Sequence, residues 1–263
     1  MEPGLYPWMA AVEEQHWWFA SRRAIVERFI NRLNLPSDAA LLEPGCGTGG
    51  NFAMLARHGR VFAMDADADA LRFATALGKA QVACGSLPDR IPFIGQDFDL
   101  ILMSDVLEHL DNDVAALRVL QQRLKPHGWL LATVPAMQWL WSGHDQAHHH
   151  RRRYSATTLR RVAQAGGLDV VYLGYFNFIL FPVVAGMRLT QRLMNRENGG
   201  EASNYTTMPS PSINAILRRV FSSERHLLEL MRMPFGVSLL MLARPFSATK
   251  SSSIVPASSD RAH

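Results

Sequence analysis

Short apolar runs alternate with longer amphipathic stretches through the first half of the chain. Five of these runs predict β-strands, at residues 39–42, 61–65, 81–84, 99–103 and 129–134. Between the last two, the segment from Asp113 to Leu124 carries apolar residues at helical spacing, and Lys125-Pro126-His127-Gly128 is expected to end this helix. Strands that alternate with helices in this way predict a parallel sheet covered by helices.

The same kinds of pattern continue on both sides of this region. They predict helices at residues 21–33, 157–165, 176–193 and 213–231, and further strands at 168–173 and 236–243. The polar stretch 195–212 is rich in Ser, Pro and Gly and is expected to be mobile. The predicted organisation is a helical cap, a core, a helical insertion, a last core strand and a disordered tail, at residues 1–36, 37–175, 176–233, 234–246 and 247–263.

Three aromatic residues, Trp17, Trp18 and Phe19, directly precede the predicted helix of the cap. One interpretation is that they pack this helix against the core. The other is that they form a lid over a bound cofactor or substrate. The sequence does not separate these two roles.

The strongest chemical signal is a glycine-rich segment directly after the first predicted strand. It reads Glu43-Pro44-Gly45-Cys46-Gly47-Thr48-Gly49-Gly50, and the second strand ends in Asp65. Glycines let the backbone approach a ligand closely and tolerate positive φ. A carboxylate at the end of the second strand can accept hydrogen bonds from both hydroxyls of a ribose. The pattern therefore predicts a Rossmann-type site for an adenosine-containing cofactor.

Two cofactor classes compete for this loop. Gly45, Gly47 and Gly50 satisfy the spacing of the dinucleotide fingerprint, so spacing alone does not exclude NAD. A pyrophosphate would lie badly beside the negative charge of Glu43, whereas the cationic amino group and sulfonium of S-adenosylmethionine (SAM) would be stabilised there. An NAD-dependent reductase or epimerase would also need a Tyr-x-x-x-Lys pair, which the sequence lacks. These observations count against NAD, and the family resemblance described next implies SAM.

Several segments resemble the class I SAM-dependent methyltransferases. The glycine segment resembles their motif I, E/D-x-G-x-G-x-G. Residues 97–110 are similar to the family's "FDxIxxxxVLEHL" segment, and residues 124–135 to "LKPGG.L....P", with His127 in place of one glycine. Residues 141–154 match the "WSxHDxxxxHxRRY" pattern of one bacterial branch. The likeness covers residues 15–175 and the last strand.

The resemblance implies a fold and a set of cofactor contacts. The fold is α/β, a Rossmann-like doubly wound seven-stranded sheet whose last strand is antiparallel, with an N-terminal helical cap and a helical insertion before the last strand. Glu43 would lie near the amino group of SAM and Asp65 would hold the ribose. Family members often have Asp where this chain has Ser86, so another group must contact the adenine. The residues expected to bind SAM are Glu43, Gly45, Cys46, Gly47, Gly49, Asp65, Ala66, Gly85, Ser86, Ser104 and Asp105.

A second polar cluster follows the fifth strand, where the ligand crevice of an open α/β sheet lies. His144 with Asp145 could act as general base on a hydroxyl acceptor, and His109 is a second candidate base. The run could instead bind zinc, but the spaced Cys/His signature is absent and no metal is expected. A third interpretation is a structural loop in which Arg152 and Arg153 pair with carboxylates. These three interpretations stay open.

The same cluster supplies the candidates for acceptor binding. Arg152 and Arg153 could hold a phosphate or carboxylate of the acceptor, because guanidinium binds such groups bidentately. The residues expected to bind the acceptor are Trp141, His150, Arg152, Arg153 and Tyr154.

Composition adds limits on compartment and partners. The 263 residues are 48% hydrophobic and 19% charged, which is an ordinary globular composition. Net charge is only +4, so no nucleic-acid partner is predicted. Cys46 and Cys84 cannot build a disulfide framework, and no signal peptide is recognised, so a cytoplasmic location is expected.

The apolar stretch at residues 175–193 is too short to span a bilayer, which needs about 20 residues. It could lie at the inner membrane face, with Arg188 and Arg192 near lipid head groups, as peripheral membrane contact. It could equally pack on the core or at a dimer interface.

The combined prediction is a SAM-dependent methyltransferase that acts on a small-molecule, saccharide or lipid-linked acceptor, at oxygen. The alternative is a non-catalytic SAM-binding protein or a partner in a membrane complex. The identity of the acceptor, the choice among O-, N- and C-methylation and the oligomeric state cannot be derived from these residues.

Overall fold

The computed structural model describes residues 5–194 and 208–246. The segment 195–207, which is most of the stretch predicted to be mobile, lies outside these residues. The predicted disordered tail, 247–263, also lies outside them.

Within the described residues, seven strands form one sheet. Its order is β3-β2-β1-β4-β5-β7-β6. Neighbours from β3 to β5 pair in parallel, whereas β7 runs antiparallel to both β5 and β6. This confirms the predicted doubly wound α/β sheet with a reversed last strand. The strands are β1 (Ala40–Pro44), β2 (Arg60–Asp65), β3 (Gln81–Cys84), β4 (Phe98–Ser104), β5 (Leu124–Pro135), β6 (Leu168–Phe176) and β7 (Ser238–Pro245).

Helices cover both faces of this sheet. They are α1 (Leu5–Val12), α2 (Trp17–Ile30), α3 (Phe52–Leu55), α4 (Ala68–Ala76), α5 (Asp113–Gln121), α6 (Gly143–Ala147), α7 (Ala156–Ala165), α8 (Phe181–Met194) and α9 (Pro211–Leu230). Short 3₁₀ turns occur at Leu107–His109 and Gln138–Leu140. Helices α1 and α2 precede the first strand, and α8 and α9 lie between β6 and β7, but the proposed domain boundaries stay a prediction.

The central strand β4 shows how the sheet separates two cores. Leu100 and Leu102 pack on one face with side chains of α2, α3 and α9. Ile101 and Met103 point to the other face, where side chains of α5 and α7 cover them. Successive side chains of a strand alternate between faces, so an uninterrupted apolar run fills both cores.

Several element boundaries differ from the sequence prediction. Helix α5 ends at Gln121, and β5 already begins at Leu124, so residues 125–128 belong to the strand and do not terminate the helix. A register shift between Phe98 and Leu100 lets β4 pair with this longer strand. Helix α2 begins at Trp17 rather than at residue 21, and the side chain of His16 accepts a hydrogen bond from Trp18 N at its start.

The helix predicted at residues 176–193 begins later than expected. Strand β6 continues to Phe176, and α8 starts only at Phe181. No helix among the described residues is both long and apolar enough to cross a membrane.

Candidate active site

A cavity of about 580 Å³ opens at the carboxyl ends of the parallel strands. Its floor includes Glu43, Asp65 and Ser104, the residues that end or nearly end β1, β2 and β4. The helices α1, α2 and α8 close it from the other side. The residues of these helices that line it are Tyr6, Trp8, Met9, Trp17, Trp18, Phe19, Arg22, Arg23, Val184 and Arg188. The volume is within the range of pockets that hold small organic ligands.

The glycine loop is tied to β2 by its own backbone. Gly45 N donates to Met64 O at 2.8 Å, and Gly47 N donates to Asp65 Oδ2 at 2.9 Å. Gly45 has φ +70°, and a Cβ added there would lie 2.8 Å from Val106. Gly47 has φ +54°, and an added Cβ would meet nothing within 4 Å. A glycine is therefore required at both positions, by φ and, at Gly45, by close packing.

Glu43 lies buried below this loop, only 2% exposed. Asn51 Nδ2 donates to its Oε1 at 2.6 Å, whereas Oε2 is buried without a hydrogen-bond partner. Burial raises the pKa of Glu43 to about 8. A buried carboxylate oxygen without a partner fits a cationic ligand group, because such a group would satisfy the oxygen and stabilise its charge.

Asp65 lies at the position expected for a ribose contact. Its two oxygens each accept one backbone N–H, from Gly47 at 2.9 Å and from Asp67 at 3.0 Å. A carboxylate has about four acceptor positions, so it can still accept hydrogen bonds from two hydroxyls. Ser86 lines the cavity beside Gly85, but its N–H already donates to Arg90 O at 2.8 Å.

Two further residues of this region were not predicted. Arg22 of α2 forms an ion pair with Asp105, whose other oxygen accepts from Thr133 Oγ1 at 3.0 Å. Glu13 is 8% exposed and lies over the glycine loop, where a Cβ on Gly50 would contact its carboxylate. Both residues belong to the predicted N-terminal cap, in which only the aromatic residues 17–19 indicated a role near a ligand.

Of the five described histidines that line this cavity, four form a cluster: His109, His144, His148 and His150. The ring centroids of His144 and His148 are 4.3 Å apart, and those of His109 and His150 are 4.8 Å apart. Burial, together with the neighbouring histidines, lowers the pKa of His109 and of His148 to about 4 and that of His144 well below its usual value. These three imidazoles are therefore neutral at neutral pH.

Asp145 connects the loop to this cluster without lining the cavity. Its Oδ1 accepts from His150 Nδ1 at 2.9 Å, and Arg153 binds it bidentately at 2.8 and 3.0 Å. Burial alone would raise the pKa of Asp145, but the hydrogen bonds from His150 and Arg153 outweigh it and hold the pKa well below its usual range. The carboxylate expected to orient His144 therefore binds His150 and Arg153.

Arg152 and Tyr154 are both anchored on Asp113 of α5. Arg152 Nη1 lies 3.1 Å from Asp113 Oδ2, and Nη2 donates to Leu110 O at 2.9 Å. Tyr154 OH donates to the same Asp113 oxygen at 2.7 Å. These contacts favour the structural interpretation for both side chains.

The predicted site residues therefore separate into two groups. Those that line the cavity are Glu43, Gly45, Cys46, Gly47, Asp65, Ala66, Gly85, Ser86, Ser104, Asp105, His109, His144, His150 and Arg153. The predicted residues outside its lining are Gly49, Trp141, Asp145, Arg152 and Tyr154. All of the predicted cofactor residues except Gly49 therefore share one cavity, whereas only two of the five predicted acceptor residues, His150 and Arg153, line it.

The sheet topology, the glycine loop and the carboxylate after β2 define the class of Rossmann-like proteins that bind an adenosine-containing cofactor. Residues 13–173 match the family described as methyltransferase domain, and the chain belongs to this family. Its cofactor is S-adenosylmethionine. A comparison with curated proteins found no match.

Solved structures share the fold at low sequence identity. One from Haloferax volcanii, a complex between the Trm112 methyltransferase activator and a putative methyltransferase, has 16% identity and a TM-score of 0.58, over 93% of this chain and 95% of that chain. A SAM-dependent methyltransferase from Clostridium acetobutylicum has 13% identity and a TM-score of 0.55, over 87% and 92%. The [4+2]-cyclase SpnF has 16% identity and a TM-score of 0.53, over 84% and 81%.

Proposed function

We propose that this methyltransferase moves the methyl group of SAM to an oxygen of a small-molecule, saccharide or lipid-linked acceptor. The observation that carries the proposal is one cavity that joins two chemical surfaces. Glu43 and Asp65 lie on one side, and the neutral imidazoles of His109 and His144 lie on the other. A cofactor and an acceptor that are bound together in this cavity could therefore contact each other directly.

The residues present fit SAM. The orphaned Oε2 of Glu43 would pair with its amino group, and Asp65 would accept from its ribose hydroxyls. Gly45–Gly49 would pass beneath it, Gly85 and Ser86 would border the adenine, and Ser104 with Asp105 would close the methionine side. When bound, SAM supplies an electrophilic methyl group on a sulfonium. Methyl transfer depends mainly on holding the acceptor atom in line with that methyl, so few catalytic groups are needed.

A hydroxyl acceptor would also need to lose its proton. His144 is the first candidate base and His109 the second, because both line the cavity and both are neutral at neutral pH. Burial makes each a weak base, so its contribution would come from position more than from proton affinity. His144→Ala and His109→Ala variants that keep full turnover on the true acceptor would remove both from this role.

An acceptor with an apolar body and an anionic group suits the rest of the lining. Trp18, Phe19 and Val184 present apolar surface, and Arg188 is a buried cation that lines the same space. Contact with lipid head groups was one of the alternatives for Arg188, which is 7% exposed and lines the cavity. The side chain of Arg192, the other arginine of that expectation, lies outside the described part of the chain.

A lipid-linked acceptor gains support from the outer face of α8. Val183, Met187 and Leu189 are 61%, 50% and 59% exposed. Residues 175–193 would therefore touch a membrane surface through these side chains, while Val184 and Arg188 of the same helix line the cavity.

A non-catalytic SAM-binding protein, or a partner in a membrane complex, is the second candidate. The fold alone does not distinguish it, because the cyclase with the same fold is named for a different reaction. The two candidates differ in turnover: only the first releases S-adenosylhomocysteine when an acceptor is supplied.

Calorimetric titration with SAM, S-adenosylhomocysteine and NADH tests the cofactor assignment first. We expect micromolar binding of both sulfur ligands, no signal with NADH, and a loss of about 10- to 100-fold in Asp65→Ala, since a hydrogen bond to a charged group contributes about 1.5–3 kcal/mol. Asp69→Ala is the matched control, because this carboxylate is half exposed on α4 and does not line the cavity.

Absence of binding to the wild type would mean that the glycine loop is misinterpreted. Binding followed by S-adenosylhomocysteine release on a lipid or saccharide fraction would support methyl transfer. Binding without release on any acceptor fraction would favour the non-catalytic alternative.

A further inference from the structure

We propose that Glu108, His109 and His150 form a binding site for a divalent first-row transition-metal ion inside the cavity. One nitrogen of each imidazole and one oxygen of the carboxylate all lie within 4.8 Å of one another. The three residues come from two loops that are far apart in sequence, after β4 and after β5. All three side chains line the cavity, so the ion would face a ligand bound there.

Glu108 supplies the first argument. It is fully buried, and both of its carboxylate oxygens lack a hydrogen-bond partner in the described structure. A buried carboxylate is stable only when it is paired, coordinated to a metal or neutralised. Of the described residues, the two arginines that act on it electrostatically are bound elsewhere: Arg22 is paired with Asp105, and Arg153 is bound to Asp145. A metal ion bound to one of these oxygens would compensate the buried negative charge.

His150 supplies the second argument through its orientation. Its Nδ1 lies 2.9 Å from Asp145 Oδ1, so the ring donates its Nδ1–H to this carboxylate. The other nitrogen, Nε2, then carries the lone pair and lies 4.0 Å from Glu108 Oε1. A carboxylate that fixes the tautomer of a histidine in this way is the usual second layer of protein metal sites. Arg153 holds Asp145 on both oxygens, so this support is rigid.

The separations of the donor atoms suit a metal after small rotations of the side chains. Tetrahedral bonds of about 2.0–2.1 Å place neighbouring ligand atoms about 3.4 Å apart. The 4.0 Å between His150 Nε2 and Glu108 Oε1 exceeds that value by little, and it is too long for a direct hydrogen bond. The gap between these two atoms is therefore better explained by an intervening ion than by a contact between them.

The donor set selects the class of ion. Two imidazoles and one carboxylate suit zinc, iron, cobalt or nickel, whereas magnesium and calcium prefer oxygen ligands. Three protein ligands leave at least one coordination position for an outside oxygen, as in catalytic zinc sites. The acceptor oxygen would occupy that position, and the metal ion would lower its pKa. This consequence rests on the proposed function, whereas metal binding itself does not. In this arrangement His109 is a ligand, which leaves His144 as the base.

Metal binding can be measured without turnover. The chelator-treated full chain is titrated with Co²⁺ while visible absorption is recorded, and with Zn²⁺ followed by dialysis and elemental analysis. We expect one ion per chain at micromolar concentration and no binding of Mg²⁺. Glu108→Gln and His150→Gln should each weaken binding by at least 100-fold. Loss of a second-layer partner costs about 10- to 100-fold, which is the change expected for Asp145→Asn.

The controls separate this site from surface histidines and from misfolding. His127→Gln removes an exposed histidine outside the cavity and should leave binding unchanged. Titration with S-adenosylhomocysteine reports folding, because the cofactor residues differ from the metal ligands.

Wild-type chain that takes up no stoichiometric Co²⁺ or Zn²⁺ would overturn the proposal, as would folded Glu108→Gln and His150→Gln variants that bind as tightly as the wild type. If a variant no longer binds S-adenosylhomocysteine, the visible spectrum of the wild-type chain with Co²⁺ tests the proposal instead. Saturation at one Co²⁺ per chain, with the absorption bands of an ion held by nitrogen and oxygen ligands at low symmetry, supports the proposal. A spectrum equal to that of hydrated Co²⁺ refutes it. Failure of cofactor binding in the wild type would instead count against the proposed function alone.

Discussion

At the scale of single residues, Glu43 combines burial with an incomplete set of hydrogen bonds. Asn51 satisfies one carboxylate oxygen, and the other is left without a partner. The pKa of about 8 means that this carboxyl is mostly protonated at pH 7 when no ligand is bound. A cation placed against it favours the ionised form, so binding of SAM would release a proton from the protein below pH 8.

We therefore predict that SAM affinity rises with pH between 6 and 8. The gain should approach tenfold per pH unit below the pKa of Glu43 and should end near pH 8, where the amino group of SAM itself begins to lose its proton. Glu43→Gln should bind more weakly at pH 8 and lose most of this pH dependence. Calorimetry in two buffers of different ionisation enthalpy measures the released proton directly.

Glu14→Gln is the matched control for this experiment, since Glu14 is an exposed carboxylate next to the cavity-lining Glu13. A wild-type affinity that is constant from pH 6 to 8 would show that Glu43 does not face the amino group.

At the scale of elements, the cavity depends on helices that lie far apart in sequence. Trp17 and Trp18 of α2 pack against Phe221 of α9, with ring centroids 5.9 and 5.3 Å apart. The same two tryptophans line the cavity. The two roles considered for these aromatic residues, packing and covering, are therefore compatible, because one side chain serves both surfaces.

Removal of this packing should destabilise the protein strongly. Phe221 is fully buried, and Phe221→Ala is expected to lower the free energy of unfolding by about 3–5 kcal/mol through lost burial and a residual cavity. Ile216→Ala on the same helix is the control, because Ile216 is 60% exposed and should change stability by less than about 0.5 kcal/mol. Chemical denaturation measures both values. Equal effects of the two substitutions would show that α9 does not pack on α2 through Phe221.

The sequence predicts local elements better than contacts between them. The apolar run of β4 and the glycines after β1 carry their own signal, because burial on both faces and positive φ each demand particular residue types. The ion pair between Arg22 and Asp105 joins residues 83 positions apart, and no local pattern marks it. Glu108 belongs to a recognised segment, but its burial without a partner follows only from the packing of the loop that contains His150.

At the scale of the whole molecule, the sheet separates two apolar cores, and buried polar groups occupy its carboxyl edge. Glu43 lies at that edge. Glu224 of α9 lies near the end of β6, and its Oε1 accepts a hydrogen bond from Ile179 N at 2.9 Å. Its Oε2 has no hydrogen-bond partner in the described part of the chain, and burial raises the pKa of Glu224 to about 7. The folded chain thus retains protons on both groups that the unfolded chain releases near pH 4.5.

This difference gives a stability that falls as the pH rises. A carboxyl whose pKa is raised by folding contributes stability fully at low pH, and the contribution is lost as the pH rises through the folded pKa.

For the ligand-free chain we expect the free energy of unfolding to decrease from pH 6.5 to 8, with a slope of up to about 1.4 kcal/mol per pH unit for each group. Glu224 should contribute mainly up to pH 7 and Glu43 up to pH 8. The double variant Glu43→Gln/Glu224→Gln should reduce this decrease, to which the buried Glu108, whose pKa is also raised by burial, still contributes. Glu14→Gln should leave the curve unchanged. Urea denaturation at half-unit pH intervals measures this slope. A wild-type stability that rises from pH 6.5 to 8 would contradict the assignment of buried, protonated carboxyls at this edge of the sheet.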